Sequence, residues 1–140
     1  MKFLITASAA LMVLSAPAFA AGDAAKGERE FNKCKACHMI QAADGTDIVK
    51  GGKTGPNLYG VIGRAAGAQE FFRYGPSLAA AAEAGLVWDE ENLATYVKDP
   101  KAFLVEFTGD AKARSAMSFK LAKGGEDVAA YLASIAPATN

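Results

Sequence analysis

Two cysteines and one histidine stand together in Cys34-Lys35-Ala36-Cys37-His38, and the 140 residues contain no others. Scattered at random, three such residues would fall into a C-x-x-C-H order in roughly one chain in ten thousand, so the spacing carries information. It reads as the attachment site of a c-type haem. Two thiols three positions apart can add to the two vinyl groups of one porphyrin, and the adjacent imidazole can turn onto the iron as axial ligand. Three other chemistries use these residue types. An exported structural disulfide would leave His38 a bystander. A thioredoxin-like pair would open a helix after a strand, within an alternating α/β pattern that the sequence lacks. Zinc needs four ligands, and no fourth Cys or His exists.

Iron in a porphyrin has a second face. With one histidine, bis-histidine ligation within the chain is excluded. After residue 20 the methionines are Met39 and Met117. Met39 is bonded to His38 and cannot reach the opposite face, which leaves Met117, in Ser115-Ala116-Met117-Ser118-Phe119. A Met/His pair raises the reduction potential and closes the sixth position, which suits electron transfer. On these residues alone the competing reading keeps Met117 as core filler beside a five-coordinate, gas-binding iron.

The elements that must position these groups are helices and long loops. Residues 1–20 read as a cleaved signal peptide: Lys2, an apolar run from Phe3 to Leu14, then Ala18-Phe19-Ala20. That run is shorter than the ~20 residues a spanning helix needs, and no basic stop-transfer cluster follows. Residues 21–140 form one domain, expected to be exported. Asp23 can cap a first helix with Ala24, Gly27 and Phe31 on one face. Met39 to Tyr74 is rich in glycine and reads as loop, without a run of alternating strand residues. A loop that long in a small domain usually wraps something. Pro76 to Glu83 reads as a short helix. Asp89 starts another carrying Leu93, Tyr96 and Val97, with Trp88 placed to staple against Leu93. Asp99-Pro100 ends it and opens the next, which buries Phe103, Leu104 and Phe107. A last helix after Gly124-Gly125 places Val128, Tyr131, Leu132 and Ile135 on one face.

Composition sets the bounds. Fifteen basic and fifteen acidic residues leave no formal net charge, and 51% of residues are hydrophobic. These values exclude a disordered chain, a strongly basic nucleic-acid binder and a multi-domain enzyme. Without Lys2 the remaining chain has charge −1, and the charge is segregated. Residues 33–53 hold four lysines and two aspartates, a net +2; residues 112–123 hold Lys112, Arg114, Lys120 and Lys123 with no acid, a net +4. The rest of the chain after residue 20 therefore carries −7.

The run Lys53-Thr54-Gly55-Pro56-Asn57-Leu58-Tyr59-Gly60 with Gly63-Arg64, the segment Tyr96 to Pro100, Met117 to Phe119 and the closing helix resemble class I cytochrome c. The likeness covers nearly the whole chain after residue 20. It is nearest to the bacterial cytochrome c2 group and, from the long segments before Pro56 and before Met117, to its long-loop branch. The resemblance implies an all-α cytochrome c fold around one haem c, attached at Cys34 and Cys37 and ligated by His38 and Met117. It implies that the Pro56 carbonyl accepts the imidazole N–H, and that Arg64, Tyr74 and Trp88 hydrogen-bond the propionates. Tyr96 would lie near the methionine sulfur and Phe119 by the exposed haem edge, while Gly27, Phe31 and Tyr131 would form the crossing of first and last helices. Near Leu78 the likeness is weaker, because many relatives are polar there. The implied function is that of a diffusing periplasmic one-electron carrier, monomeric and not an enzyme. Its donor would be a cytochrome bc complex and its acceptor a photosynthetic reaction centre or cytochrome c oxidase, met through a basic haem-edge face.

Overall fold

The computed structural model describes residues 22–135, and the leader expected over residues 1–20 lies outside them. Among the described residues five α-helices follow in order: α1 (Ala24–Glu30), α2 (Pro76–Glu83), α3 (Glu90–Lys98), α4 (Pro100–Thr108) and α5 (Gly125–Ile135). Three of the starts, those of α1, α3 and α4, are set by carboxylates. Asp23 Oδ1 accepts from the Lys26 N–H at 3.0 Å and Asp89 Oδ1 from the Asn92 N–H at 2.7 Å. Asn92 returns the bond by accepting from the Asp89 N–H at 3.0 Å, a reciprocal cap with Asn in the place usually held by Glu or Gln. Asp99 closes α3 and caps α4, whose first residue is Pro100, so a single residue makes the corner between the two helices.

The helices pack by burying the faces that their periodicity marks. α1 crosses α5 closely enough that a Cβ on Gly27 would overlap the Asp127 backbone carbonyl. The crossing is sealed by Phe31 against Tyr131, with ring centroids 5.8 Å apart. α3 packs on both α5 and α4, and α2 packs on α4. Trp88 stands edge-on to Tyr96 at 5.0 Å and stacks on Phe103 at 5.9 Å, so the short link before α3 shares the core of the helices it joins. Phe107, expected on the buried side of α4, stacks on Phe103 but stays partly exposed.

The segment 39–74 differs from its reading as loop alone. It contains a small antiparallel hairpin, β1 (Ile40–Gln41) with β2 (Asp47–Val49), Ile40 lying opposite Val49. Strands of two and three residues are too short to show an alternating pattern. Its turn, however, carries a sequence signal in Asp44-Gly45, where Asp44 accepts from the Thr46 N–H at 2.9 Å and Gly45 takes φ 87°.

Backbone N–H donors hold the carboxyls of Asp23 and Asp44 below the usual range; at Asp99 the Lys120 ammonium does most of this, with the Ala102 N–H second. A depressed carboxylate pKa stabilises the fold above the unfolded value of about 3.9, and that contribution is lost as pH falls through the lower folded values. Thermal melts should therefore show stability dropping below about pH 4, with a shallower drop when the three residues are changed to Asn. Identical acid limbs would contradict this account.

Candidate functional site

The attachment motif follows directly on α1. Phe31–Lys33 continue α1 as a 3-10 turn, and the Cys37 and His38 N–H groups both donate to the Cys34 carbonyl, at 3.1 and 3.0 Å. Residues 51–58 then lie alongside it. Gly52 N–H donates to the Lys35 carbonyl at 2.9 Å, Gly55 N–H to the Cys37 carbonyl at 2.8 Å and Leu58 N–H to the Met39 carbonyl at 3.1 Å. A Cβ on Gly51 would overlap the His38 carbonyl, one on Gly52 the Ala36 carbonyl and one on Gly55 the His38 ring. This approach delivers the Pro56 carbonyl to His38 Nδ1 at 2.8 Å. A carbonyl only accepts, so Nδ1 carries the proton and the Nε2 lone pair is left to act as a ligand. Burial lowers the pKa of His38, with the Pro56 bond acting the other way.

Cys34 and Cys37 are both free thiols, the first half-buried and the second exposed. Burial, with Glu30 adding to it, pushes the Cys34 thiol up to about 11. Thioredoxin-like pairs work through a depressed thiol pKa, and this environment does the reverse.

Three further expected residues are brought together at the other end of the loop. The Trp88 N–H donates to the Arg64 carbonyl at 2.9 Å, and the Gly63 N–H donates to the Trp88 carbonyl at 2.7 Å. Arg64 is half-buried and near enough to Tyr74 for the two to interact electrostatically, although burial dominates and lowers its pKa. Two guanidinium donors are used inside the loop, on the carbonyls of Asn57 at 3.0 Å and Tyr59 at 3.3 Å. The Tyr74 hydroxyl accepts from the Gln69 N–H at 3.3 Å and keeps its own proton to donate.

Tyr96 is 8% exposed, and burial raises its pKa against the opposing effect of the Ser115 hydroxyl. The phenol therefore stands beside the segment that carries Met117. Met117 is half-buried, packed against the core, and its N–H donates to Ser115 Oγ at 3.1 Å. Phe119 is 42% exposed, in keeping with a place at an edge.

Sequence reading assigned no role to Asn57. Its side-chain oxygen accepts from the Gln41 and Tyr59 N–H groups, both at 3.0 Å, and its amide donates to the Gln41 carbonyl at 2.8 Å. It thereby pins the loop to β1. An Asn directly after Pro56 in a tight segment is a signal for this kind of backbone-mimicking side chain.

Two free thiols, an imidazole with Nε2 available and a thioether on a separate segment fit a covalently attached haem by their donor chemistry. The fold and this side-chain set define a c-type haem protein. Relatives agree. Cytochrome c2 of Rhodobacter capsulatus is 65% identical over 136 residues, spanning 96% of this chain and 98% of that one. Cytochrome c-550 of Paracoccus versutus is 58% identical over 140 residues, 98% of this chain and 91% of that one. The solved structure of the Rhodobacter capsulatus cytochrome c2 superposes with a TM-score of 0.80 at 67% identity, over 81% of this chain and 98% of that one. No family model matches the chain. The chain belongs to the bacterial cytochrome c2 group of class I cytochromes c. Members of this group are haem-carrying electron carriers and not enzymes.

Glycines at two places separate shape from strain. Gly45→Ala places a Cβ in open space at positive φ and should cost about 1–2 kcal/mol. Gly55→Ala forces a methyl into the His38 ring, and overpacking of this kind costs about 1–3 kcal/mol or more. Thermal melts and the visible spectrum of the haem-loaded protein check the contrast: both variants should melt lower, but only Gly55→Ala should alter the iron spectrum. Equal spectra would place the glycine requirement elsewhere.

Proposed function

We propose that the chain is exported with a signal peptide cleaved after Ala20 and works in the periplasm as a diffusing one-electron carrier. It carries one haem c, held by thioethers at Cys34 and Cys37, with His38 and Met117 as axial ligands. The observation that supports this most is the His38–Pro56 bond, because it fixes the tautomer that an iron ligand needs. When bound, the haem supplies an Fe(II)/Fe(III) couple, and the rest of the work falls to the chain. Pro56 orients the imidazole and raises its basicity. Arg64, Tyr74 and Trp88 hold the propionates through the donors their neighbours leave free. Met117, packed against the core on the segment beside Tyr96, would hold the iron on the face opposite His38 and keep water from it. Ligands held in place through both oxidation states keep reorganisation small.

The donor is a cytochrome bc complex, and the acceptor is a photosynthetic reaction centre or cytochrome c oxidase. Docking uses the basic segments 33–53 and 112–123. Two of their charges are engaged within the chain: Lys33 pairs with Glu30, and Lys120 Nζ meets Asp99 Oδ2 at 2.7 Å. The free positive charge is therefore smaller than the count along the sequence, and Lys35 and Lys112 serve better than Lys120 as probes of it.

Met117→Ala should open the iron to water or small ligands and lower the reduction potential, on the order of a hundred millivolts given the range axial ligands span. Met39→Ala should leave both nearly unchanged. Redox titration and the far-red band of the ferric protein decide the matter, and equal behaviour of the two variants would reject the assignment.

Lys35→Glu and Lys112→Glu should each slow bimolecular electron transfer to an acidic partner several-fold at low salt, and the differences should shrink as salt rises. Glu90→Lys, in neither basic segment, should do little. Stopped-flow rates across ionic strength test this, and rates insensitive to salt would refute steering.

A further inference from the structure

The segment that carries Met117 has no helix or strand of its own between the end of α4 and the start of α5. Two fixed points bound it. The Arg114 N–H donates to Ser77 Oγ of α2 at 2.9 Å, next to the buried Ala113. The Leu121 N–H donates to the Val97 carbonyl of α3 at 2.8 Å, and the Leu121 side chain is buried. Between them Met117 packs on the core and borders a cleft of about 490 Å³, lined besides itself by Pro100, Lys101, Arg114, Ser115, Ser118 and Lys120. The segment therefore has space into which it can swing outward.

Besides the Ser115 hydroxyl beside the Tyr96 phenol, a long-range ion pair opposes that movement. Lys120 Nζ reaches Asp99 Oδ2 at 2.7 Å, across 21 residues of sequence. Asp99 is a firm anchor. It forms the corner between α3 and α4, and its other oxygen, Oδ1, accepts from the Ala102 N–H at 3.1 Å. Pro100 and Lys101, which follow Asp99, line the α4 side of the same cleft. The pair thus ties the Met117 segment to α4. It also neutralises Lys120 beside Lys101 and Arg114, two like charges on the same cleft.

We propose that the Lys120–Asp99 pair is a latch that positions Met117: it holds residues 115–120 against the core and sets how often the thioether leaves its place. The proposal rests on Met117 being the sixth ligand. Both partners are substantially exposed, with side-chain exposures of 57% and 39%. An exposed pair shifts an equilibrium by about two- to fivefold, enough to tune opening without controlling whether the protein folds.

The test uses the ferric haem-loaded protein, with imidazole as the competing ligand. At saturating imidazole the binding rate reports the opening of the Met117 segment. Lys120→Gln removes one charge, and Asp99→Asn removes the other while keeping an oxygen to cap α4. Each should open about two- to fivefold more often, and the double variant should go no further. Amide hydrogen exchange at Met117, Ser118 and Phe119, which reads the segment without reference to the iron, should quicken by the same factor. Raising salt should speed opening in the wild type and leave Lys120→Gln unchanged. If the wild type shows the far-red methionine band but the variants open at its rate, or their effects simply add, the latch is wrong. A wild type lacking that band would overturn the Met117 reading, and the latch with it.

Discussion

Residues 51–58 run so close to residues 35–39 that three positions have no room for a side chain, and the geometry of His38 depends on this approach. The closeness comes from backbone hydrogen bonding, Gly52 to Lys35 and Gly55 to Cys37, which only glycine allows at these separations. The consequence is chemical. Pro56 is placed by a ladder of main-chain bonds, so the acceptor for His38 Nδ1 cannot rotate away as a carboxylate side chain could. A ligand held by a fixed carbonyl keeps one tautomer and one ring plane, and such outer partners commonly tune metal sites as much as the ligand itself. Asn57 and Arg64 extend the same restraint, since both spend their hydrogen bonds on the loop's own backbone.

The other side of the site is built differently. His38 sits within a ladder, whereas Met117 lies on a segment with no regular structure, fixed at its ends by Ser77 and Val97 and tied between them by side chains alone, Ser115 beside Tyr96 and the exposed Lys120–Asp99 pair. Local opening takes least free energy where buried contacts and sheltered backbone bonds are few. The two proposed ligand positions are therefore unequal in stiffness. An electron carrier gains from this so long as the closed form dominates: a rigid imidazole defines the site, and the weaker side sets how far ligation can be perturbed by partners, salt or added ligands.

Much of this was legible in the sequence, for reasons that differ by residue. Asp23, Asp89 and Asp99 announced their helices because capping is a local reaction of a short carboxylate with the N–H groups just ahead of it. The α1–α5 crossing could be read from Gly27, Phe31 and Tyr131 only through family likeness, since nothing local says which helix a glycine faces. The same holds for Pro56 and Arg64, whose partners lie far off or in the backbone. Besides the role of Asn57, and apart from the Asp44-Gly45 turn signal, three features were not legible. The hairpin is too short for periodicity to mark it. The Lys120–Asp99 pair joins residues that no spacing rule connects. Phe71, the non-glycine residue with positive φ among those described, is fully exposed at φ 61°, a conformation that an aromatic side chain gives no reason to expect.

Charge placement connects these local matters to encounter with a partner. With a formal charge of only −1 after residue 20, the protein has little long-range attraction as a whole, and the separation of its basic and acidic segments is what can orient an approach. Such a field is felt within about 10 Å at 0.1 M salt, so it aligns molecules already close and adds little to a standing complex. That suits a carrier, which must leave one partner before reaching the next. Asp99 belongs to both parts of the problem. By engaging Lys120 it takes a charge away from the proposed docking surface and, as the proposed latch, would hold the segment of Met117, so one ion pair would weaken steering slightly while steadying the proposed ligand.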